Sequence, residues 1–399
     1  MPIKNVCRGV LKHKFYIFTV EKPVNMDELT RLRQELHRNP EVSGKERATA
    51  KRIRFYLNRY KPDELFTGIA GEGMAAVFNT LKPGPTTLFR CDMDALPIHE
   101  AISKPYSSTE PGVAHLCGHD GHMAIVSGLA SSIRENPITK GKVILFYQPE
   151  EENGQGAEKS IHRLTELNLM PDYAFAIHNM PKYPLGSIVL PNNVFASASK
   201  GVILKLFGKE SHAAYPEMGI NPALAIASII QGLHNLTNDN KFSDFVLLTI
   251  IHVRLGEVAF GTSPGYGEIM VTLRSVADSD MNVLYKKSVE LAQEIGATHE
   301  LTVEVSITDS FPAALCDSKM IEMVRGVGLE QNRLIFNLDK PNRWSEDFAH
   351  FTLKGPSVIF GLGIGENSAE LHSPDYDFPD EAIEHGVNIL DAIITKHNR

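Results

Sequence analysis

Apolar positions recur at helical spacing near the start of the chain. Met26, Leu29, Leu32 and Leu36 share one face, and Asn39-Pro40 closes the run. The pattern predicts a first helix from Asn25-Met26-Asp27-Glu28. A second helix, through about Tyr60, is expected to open at Ser43-Gly44-Lys45-Glu46, which reads as a capping box. Strand-like runs follow at 74–79 and 86–91, with Lys82-Pro83-Gly84-Pro85 as the turn between them. Residues 118–134 read as a helix. The short apolar runs 143–148 and 173–177 have the pattern of strands buried between helices, so this is an α/β domain.

From residue 197 the pattern changes. A strand at 202–207 is followed by a helix from Asn221-Pro222 to about Leu236, then by strands at 245–253 and 268–274. A helix at 280–295 and a strand at 301–307 complete a β-α-β-β-α-β unit of ferredoxin-like type. Such a unit stands as its own two-layer domain, inserted into the first. The α/β pattern resumes with a helix near 318–329, a strand at 357–360 and a closing helix from Asp380. The expected division is therefore an N-terminal extension 1–25, a first body 26–196, an insertion 197–308 and a second body 309–399.

Composition narrows the function classes. A chain of 399 residues suits two domains. A formal net charge of −8 argues against nucleic acid or an anionic membrane as partner. The longest near-apolar run, 245–253, is far short of the ~20 residues a spanning helix needs. Four cysteines do not make a disulfide scaffold, so a reducing, cytoplasmic compartment is expected. The basic residues 1–25 contain only a short apolar stretch, 15–20, and Glu21-Lys22-Pro23 is no cleavage site.

The sharpest local signal is Cys117-Gly118-His119-Asp120-Gly121-His122. A thiolate and an imidazole two residues apart can reach one metal ion, although a buried cysteine beside surface histidines would read the same way. Glu150-Glu151-Glu152 directly follows the strand 143–148, and His178 directly follows 173–177, where α/β sites form. Alone, the triplet would be a solvated charge run. His372 lies in a loop before the last helix. Two other signatures fail on context. Gly261-Thr262-Ser263-Pro264-Gly265 fits a serine-hydrolase elbow, but residues 266–274 read as a strand where that elbow needs a helix. Gly361-Leu362-Gly363-Ile364-Gly365 lacks the third glycine of a dinucleotide fingerprint, with Glu366 in its place.

Taken together, the motifs resemble the metallo-amidohydrolase branch of the aminoacylase and carboxypeptidase superfamily. They run from Leu36-His37-Arg38-Asn39-Pro40-Glu41 through Asp92-Met93-Asp94-Ala95-Leu96-Pro97, the Cys117 hexapeptide, Gln148-Pro149-Glu150-Glu151-Glu152 and His178. His212-Ala213-Ala214-Tyr215-Pro216, Ser345-Glu346-Asp347-Phe348 and Leu371-His372-Ser373-Pro374 complete the series. The resemblance implies a metallopeptidase-type α/β catalytic domain with an inserted ferredoxin-like α+β lid that also dimerises. It implies two divalent ions, with zinc, manganese, cobalt and nickel all open, held by Cys117, His119, Glu152, His178 and His372. Cys117 would bridge the ions, Glu151 would be general base and then acid, and Asp94 would support the ligands. Asp92 falls where other branches carry a metal-binding histidine. His212, on the insertion, would stabilise the tetrahedral oxyanion, often across a dimer.

The chemistry implied is hydrolysis of N-acyl amino acids or similar small amide conjugates. Two metals acidify a shared water and polarise the carbonyl, and a carboxylate that is not a ligand can carry the proton to nitrogen. Arg274 ends a lid strand and is expected to bind the substrate carboxylate bidentately. Three departures put substrate preference in question: Gly261 where relatives often carry asparagine, Glu217 where many carry histidine, and Glu150 for the usual alanine. A catalytically weakened homologue, acting as a binding module, is the alternative reading.

Overall fold

In the computed structural model, which describes residues 24–238 and 242–399, the chain opens with α1 (Met26–Arg38). Its N-cap, Asn25, accepts from the Glu28 N–H, as the sequence pattern predicts. Residues 1–23 of the expected N-terminal extension lie outside the described residues. The first body continues with α2 (Arg47–Asn58), β1 (Glu64–Ile69), β2 (Gly73–Asn79), β3 (Thr86–Asp92), α3 (His119–Glu135), β4 (Lys142–Gln148), α4 (Gly156–Glu166), β5 (Tyr173–Met180) and β6 (Ile188–Leu190).

The insertion follows as β7 (Ala198–Phe207), β8 (Ser211–His212), α5 (Ala223–Leu236), β9 (Val246–Leu255), β10 (Thr262–Ser263), β11 (Tyr266–Ser275), α6 (Asp278–Thr298) and β12 (Thr302–Phe311). The chain then returns through α7 (Ser318–Glu330), β13 (Ile335–Asn337), α8 (Ala349–Thr352), β14 (Ser357–Gly363) and α9 (Glu381–Asn398).

Two main sheets and a two-stranded ribbon, β8 with β10, carry the strands. The larger has the order β1-β2-β4-β3-β5-β14-β6-β13. Its centre, β4, β3, β5 and β14, is mutually parallel and buried on both faces, which explains the unbroken apolar runs. The smaller sheet is antiparallel with order β12-β7-β11-β9, the ferredoxin-like arrangement. Alternation along β11 buries Ile269, Val271 and Leu273 against α5 and α6, a core separate from that of the larger sheet. Its last strand extends to Phe311, past the boundary expected at 308.

The expected capping box does not form. Ser43 Oγ instead donates to Asp94 Oδ2 at 2.7 Å, and Glu46 Oε1 accepts from the Glu150 N–H at 2.8 Å. Glu41 takes over the cap, accepting from the Thr49 N–H and hydroxyl. Distant partners outcompeted the local motif, and both diverted residues now hold loops of the site.

Buried ion pairs lock the helices together. Arg33 of α1 reaches Asp377, the Phe378 carbonyl and Asp380 ahead of α9. His37 links Asp120 of α3 at 2.9 Å to Glu100 at 3.0 Å. Burial opposes protonation of His37, but the Asp120 and Glu100 carboxylates outweigh it and raise its pKa to about 9.

A group whose folded pKa is raised binds its proton more tightly when folded, so stability is full below the unfolded value of about 6.5 and is lost as pH climbs towards 9. Urea unfolding at pH 6.5 and pH 9 should therefore show a drop in stability at the higher pH. His37→Gln should shrink that drop; an unchanged drop would assign it to other groups.

Candidate metal centre

The parallel strands β4, β3, β5 and β14 bring their C-terminal ends to one sheet edge, where loops can converge on a ligand. β3 ends in Asp92, with Asp94 just beyond. β4 ends in Gln148, and the Glu triplet follows it. His178 was expected after its strand but lies within β5, its backbone paired with Gly361 of β14. Cys117 and His119 flank Gly118, whose φ of 92° starts α3 in the left-handed region. A Cβ there would collide with Asn179 Oδ1 and the Tyr376 hydroxyl, so only glycine fits this turn.

Two of the three ligand-type imidazoles, His119 and His178, are fixed through the nitrogen that faces away. His119 Nδ1 donates to the Asp94 carbonyl and His178 Nδ1 to the Asn179 carbonyl, both at 2.9 Å, which leaves each Nε2 pointing inward. Cys117 Sγ lies 3.7 Å from His178 Nε2, and Glu152 Oε1 lies 3.7 Å from His119 Nε2 and 3.9 Å from His372 Nε2. His372 is placed by its own left-handed backbone, φ 63°, and donates its N–H to the Leu116 carbonyl. Cys117, His119, Glu152, His178 and His372 are thus drawn together as overlapping triads, each within 4.8 Å.

The donor set fits transition-metal ions. One thiol, three imidazoles and one carboxylate are the ligands such ions favour. Moreover, His119 Nε2 and Glu152 Oε1 are buried with no hydrogen-bond partner among the described residues, a costly state unless a cation sits between them. Burial pushes Glu152 up to about 7, with Asp94 and Asp92 adding to the rise and His119 opposing it. Burial and Glu152 likewise lift the Cys117 thiol. These groups repel one another's charge, and divalent ions would relieve that.

Behind the ligands stands a second buried tier. Asp94 Oδ2 accepts from Ser43 Oγ and the Glu152 N–H at 2.7 and 2.9 Å. Asp92 bridges His122 Nδ1 at 2.7 Å and Arg90 Nη1 at 2.8 Å. The Arg90 guanidinium, wholly inside the protein, also contacts Gln148, Glu346 and Asp347. Glu151 faces this tier. Its Oε1 accepts from the Asp347 N–H at 3.4 Å, and its Oε2 lies 4.0 Å from His119 Nε2. Burial, then Glu346, Glu152 and Asp347, hold the Glu151 carboxyl well above the usual range, with His119 opposing.

The remaining expected residues lie elsewhere. His212 is exposed on β8, paired with Thr262, and its described contacts stay within the insertion: Nδ1 accepts from the Ala214 N–H and the ring leans on Tyr215. Arg274 Nη1 donates to the Arg343 carbonyl and to Ser345 Oγ, at 2.9 and 3.1 Å, tying the insertion to the catalytic body. Ser263 lies in β10 and leads into strand β11, so no nucleophile elbow exists there. The extra charge expected from Glu150 is met by Lys159 Nζ at 2.7 Å.

Sequence reasoning gave no role to Arg90, His122 or Trp344. A lone arginine inside the apolar run 86–91 was the available signal for the first. The second sits inside the metal hexapeptide, and Trp344 precedes a motif residue and packs on His178 at 4.7 Å between ring centroids.

With this geometry in hand, comparison with known proteins gives consistent matches. The model of peptidase family M20/M25/M40 matches residues 88–396. An N-acetyldiaminopimelate deacetylase of Lactobacillus helveticus is 27% identical over 376 residues, covering 92% of this chain and 97% of the relative. An N-acetyl-L-cysteine deacetylase of Bacillus subtilis is 29% identical over 378 residues, covering 90% and 87%. Among solved structures, the YXEP protein of Bacillus subtilis, described as a dinuclear metal-binding peptidase, superposes with a TM-score of 0.78 at 24% identity over 93% of this chain and 98% of that one.

Replacing Cys117 removes the soft donor common to two of the triads. Cys117→Ser is expected to carry fewer divalent ions per chain than the wild type by elemental analysis, with its thermal fold intact. Equal metal content would remove Cys117 from the ligand set.

Proposed function

The chain belongs to peptidase family M20/M25/M40, and on that premise we propose that it hydrolyses the amide bond of small N-acyl amino acids with Glu151 as general base and acid. It is a metal-dependent hydrolase of amide C–N bonds. The observation that carries the residue assignment is the division between adjacent glutamates: Glu152 faces His119 and His372, whereas Glu151 turns towards Asp347.

Cys117, His119, Glu152, His178 and His372 are the proposed holders of two divalent ions. When bound, such ions acidify water and polarise a carbonyl oxygen. The thiolate favours zinc-like ions, and manganese, cobalt and nickel remain chemically compatible. Glu151 accepts the proton of the attacking water. As the water oxygen bonds to carbonyl carbon and the C–N bond breaks, Glu151 delivers that proton to the leaving nitrogen. A carboxyl group held above its usual range by burial suits the second half of that cycle. Asp94 fixes both the His119 tautomer and the Glu152 backbone, so its part is alignment.

The names of the two deacetylase relatives support N-acyl amino acids as the substrate class. Arg274 supports the same class. Nε and Nη2 of its half-buried guanidinium have no partner among the described residues, and no carboxylate offsets its burial. We assign those nitrogens to the substrate's α-carboxylate. A homodimer is part of the proposal. β9 is an edge strand with Ile251, Val253 and Leu255 exposed, and Val258 and Phe260 beyond it are fully exposed, the kind of edge that pairs with another chain. In such a dimer His212 would serve the partner's site as an oxyanion donor.

Glu151→Gln is expected to keep its metal while kcat on N-acetyl amino acids falls on the order of 10²–10⁴-fold. Glu152→Gln should lose metal as well. Matching metal content in the two variants would overturn the division of roles, and a wild type inactive on N-acyl amino acids would overturn the substrate class.

Sedimentation should show a dimer. His212→Ala and Glu151→Gln subunits, each inactive alone, should regain part of the activity when mixed. A fully active monomer would exclude the contribution in trans.

A further inference from the structure

Six consecutive residues, Asn342 to Asp347, touch nearly everything that must be aligned for catalysis. At one end the Asn342 carbonyl accepts from the Ser197 N–H and hydroxyl, at the point where the insertion leaves the catalytic body. Arg343 stacks its guanidinium over Phe245 of the insertion, 4.8 Å from the ring centroid. Trp344, wedged against Phe195, packs on the ring of His178. Ser345 accepts from Arg274. At the far end Glu346 and Asp347 clamp Arg90, and the Asp347 N–H points at Glu151.

We propose that this segment is a strap that transmits the position of the inserted domain to His178 and Glu151, with Arg274 as the positioning residue that pulls on it. The inference rests on the assignment of His178 as a ligand and Glu151 as the general base, and goes beyond it. Arg274 stands on β11 of the insertion, so any movement of that domain moves its guanidinium. Nη1 holds the strap at two successive points, the Arg343 carbonyl and the Ser345 hydroxyl, one on each side of Trp344. Letting go would free the tryptophan from His178 and slacken the peptide that donates to Glu151. That last hydrogen bond is already long at 3.4 Å, so it is the contact most readily shortened by closure. Near-attack geometry is steep: a displacement of about 1 Å can cost 10²-fold in rate. A carboxylate on the remaining nitrogens of Arg274 would thus report substrate occupancy to the general base through one guanidinium.

The chain has a single tryptophan, Trp344, so its fluorescence reads the strap directly. In Arg274→Ala, metal-free and metal-loaded, the emission should shift to the red and acrylamide quenching should rise. With metal content unchanged, kcat should fall about tenfold or more even on N-acyl amino-acid amides, which have no carboxylate to bind. Arg274→Lys, which keeps a cationic donor but not the planar fork, should recover part of both signals, and Ser345→Ala should show a smaller loss of the same kind. These two variants also decide the matter should Arg274→Ala fail to fold. A change confined to KM for free-carboxylate substrates, with Trp344 emission unaltered, would overturn the proposal and leave Arg274 as a substrate clamp alone. A wild type inactive on every N-acyl amino acid would remove the proposed substrate class, but the fluorescence comparison would still decide whether Arg274 holds the strap.

Discussion

Carboxylates do not share a dry pocket unless cations come with them, because each buried charge costs several kcal/mol that only a close opposite charge returns. Asp92, Asp94, Glu151, Glu152, Glu346 and Asp347 crowd one edge of the sheet, and a single buried guanidinium, Arg90, stands among them. Arg90 neutralises the rear of the cluster. The front, where Glu152 and Cys117 face the imidazoles, has no fixed cation of its own among the described residues. That imbalance dictates the rest: a protein that folds this way must either protonate the front of its site or bind metal there. Burial raises the Asp347 carboxyl and Glu346 adds to the rise, while Arg90 pulls the other way. Deleting it would strand buried carboxylates, a change worth roughly 3–5 kcal/mol.

Backbone topology makes such crowding possible. Parallel strands present successive C-terminal ends side by side, so residues from β3, β4 and β5 meet although they lie far apart in the chain. The His119 and His178 imidazoles are each held at Nδ1 by a main-chain carbonyl, a group that the fold itself fixes, which turns their other nitrogens inward. Helix α3 adds its N-terminus beside Cys117, where the positive end of its dipole favours a thiolate.

Much of this was legible in the sequence, for reasons that differ by residue. Strands β3, β4 and β5 announce themselves because burial on both faces favours runs of apolar side chains. The ferredoxin-like unit is legible because its alternation and helix spacing are local. The proposed ligands are legible through motif resemblance, and the structure shows how Cys117 and His119 come together: Gly118 turns the chain so that both face the same side. What failed was inference from local motifs whose partners are remote. Ser43 and Glu46 have the spacing of a capping box, yet each finds a better partner about fifty or more residues away. His178 reads as directly following its strand because the apolar run stops at Ile177, whereas the strand is prolonged by pairing with β14, more than a hundred residues downstream. Arg90 could be seen as an oddity in a strand, but four polar partners in three separate segments had to be assembled before its purpose was visible.

The glutamate triplet shows most sharply where chemical identity stops and environment takes over. Glu150, Glu151 and Glu152 are the same residue three times in succession. The first adopts a left-handed backbone, φ 56°, enforced by its N–H on buried Glu46, and that twist throws its side chain onto Lys159 at the rim. The turn it creates then separates the next two. Glu151 is sent inward among Glu346 and Asp347, where burial and like charge favour the protonated form. Glu152, its N–H anchored on Asp94, is sent towards His119 and His372, where a cation is wanted. A straight strand would have put Glu150 and Glu152 on one face and Glu151 on the other. One strained residue thus converts an alternating charge run into an ion pair, the proposed proton carrier and a proposed metal ligand, and the strain of that φ, of order 1–3 kcal/mol, is offset by the contacts it permits.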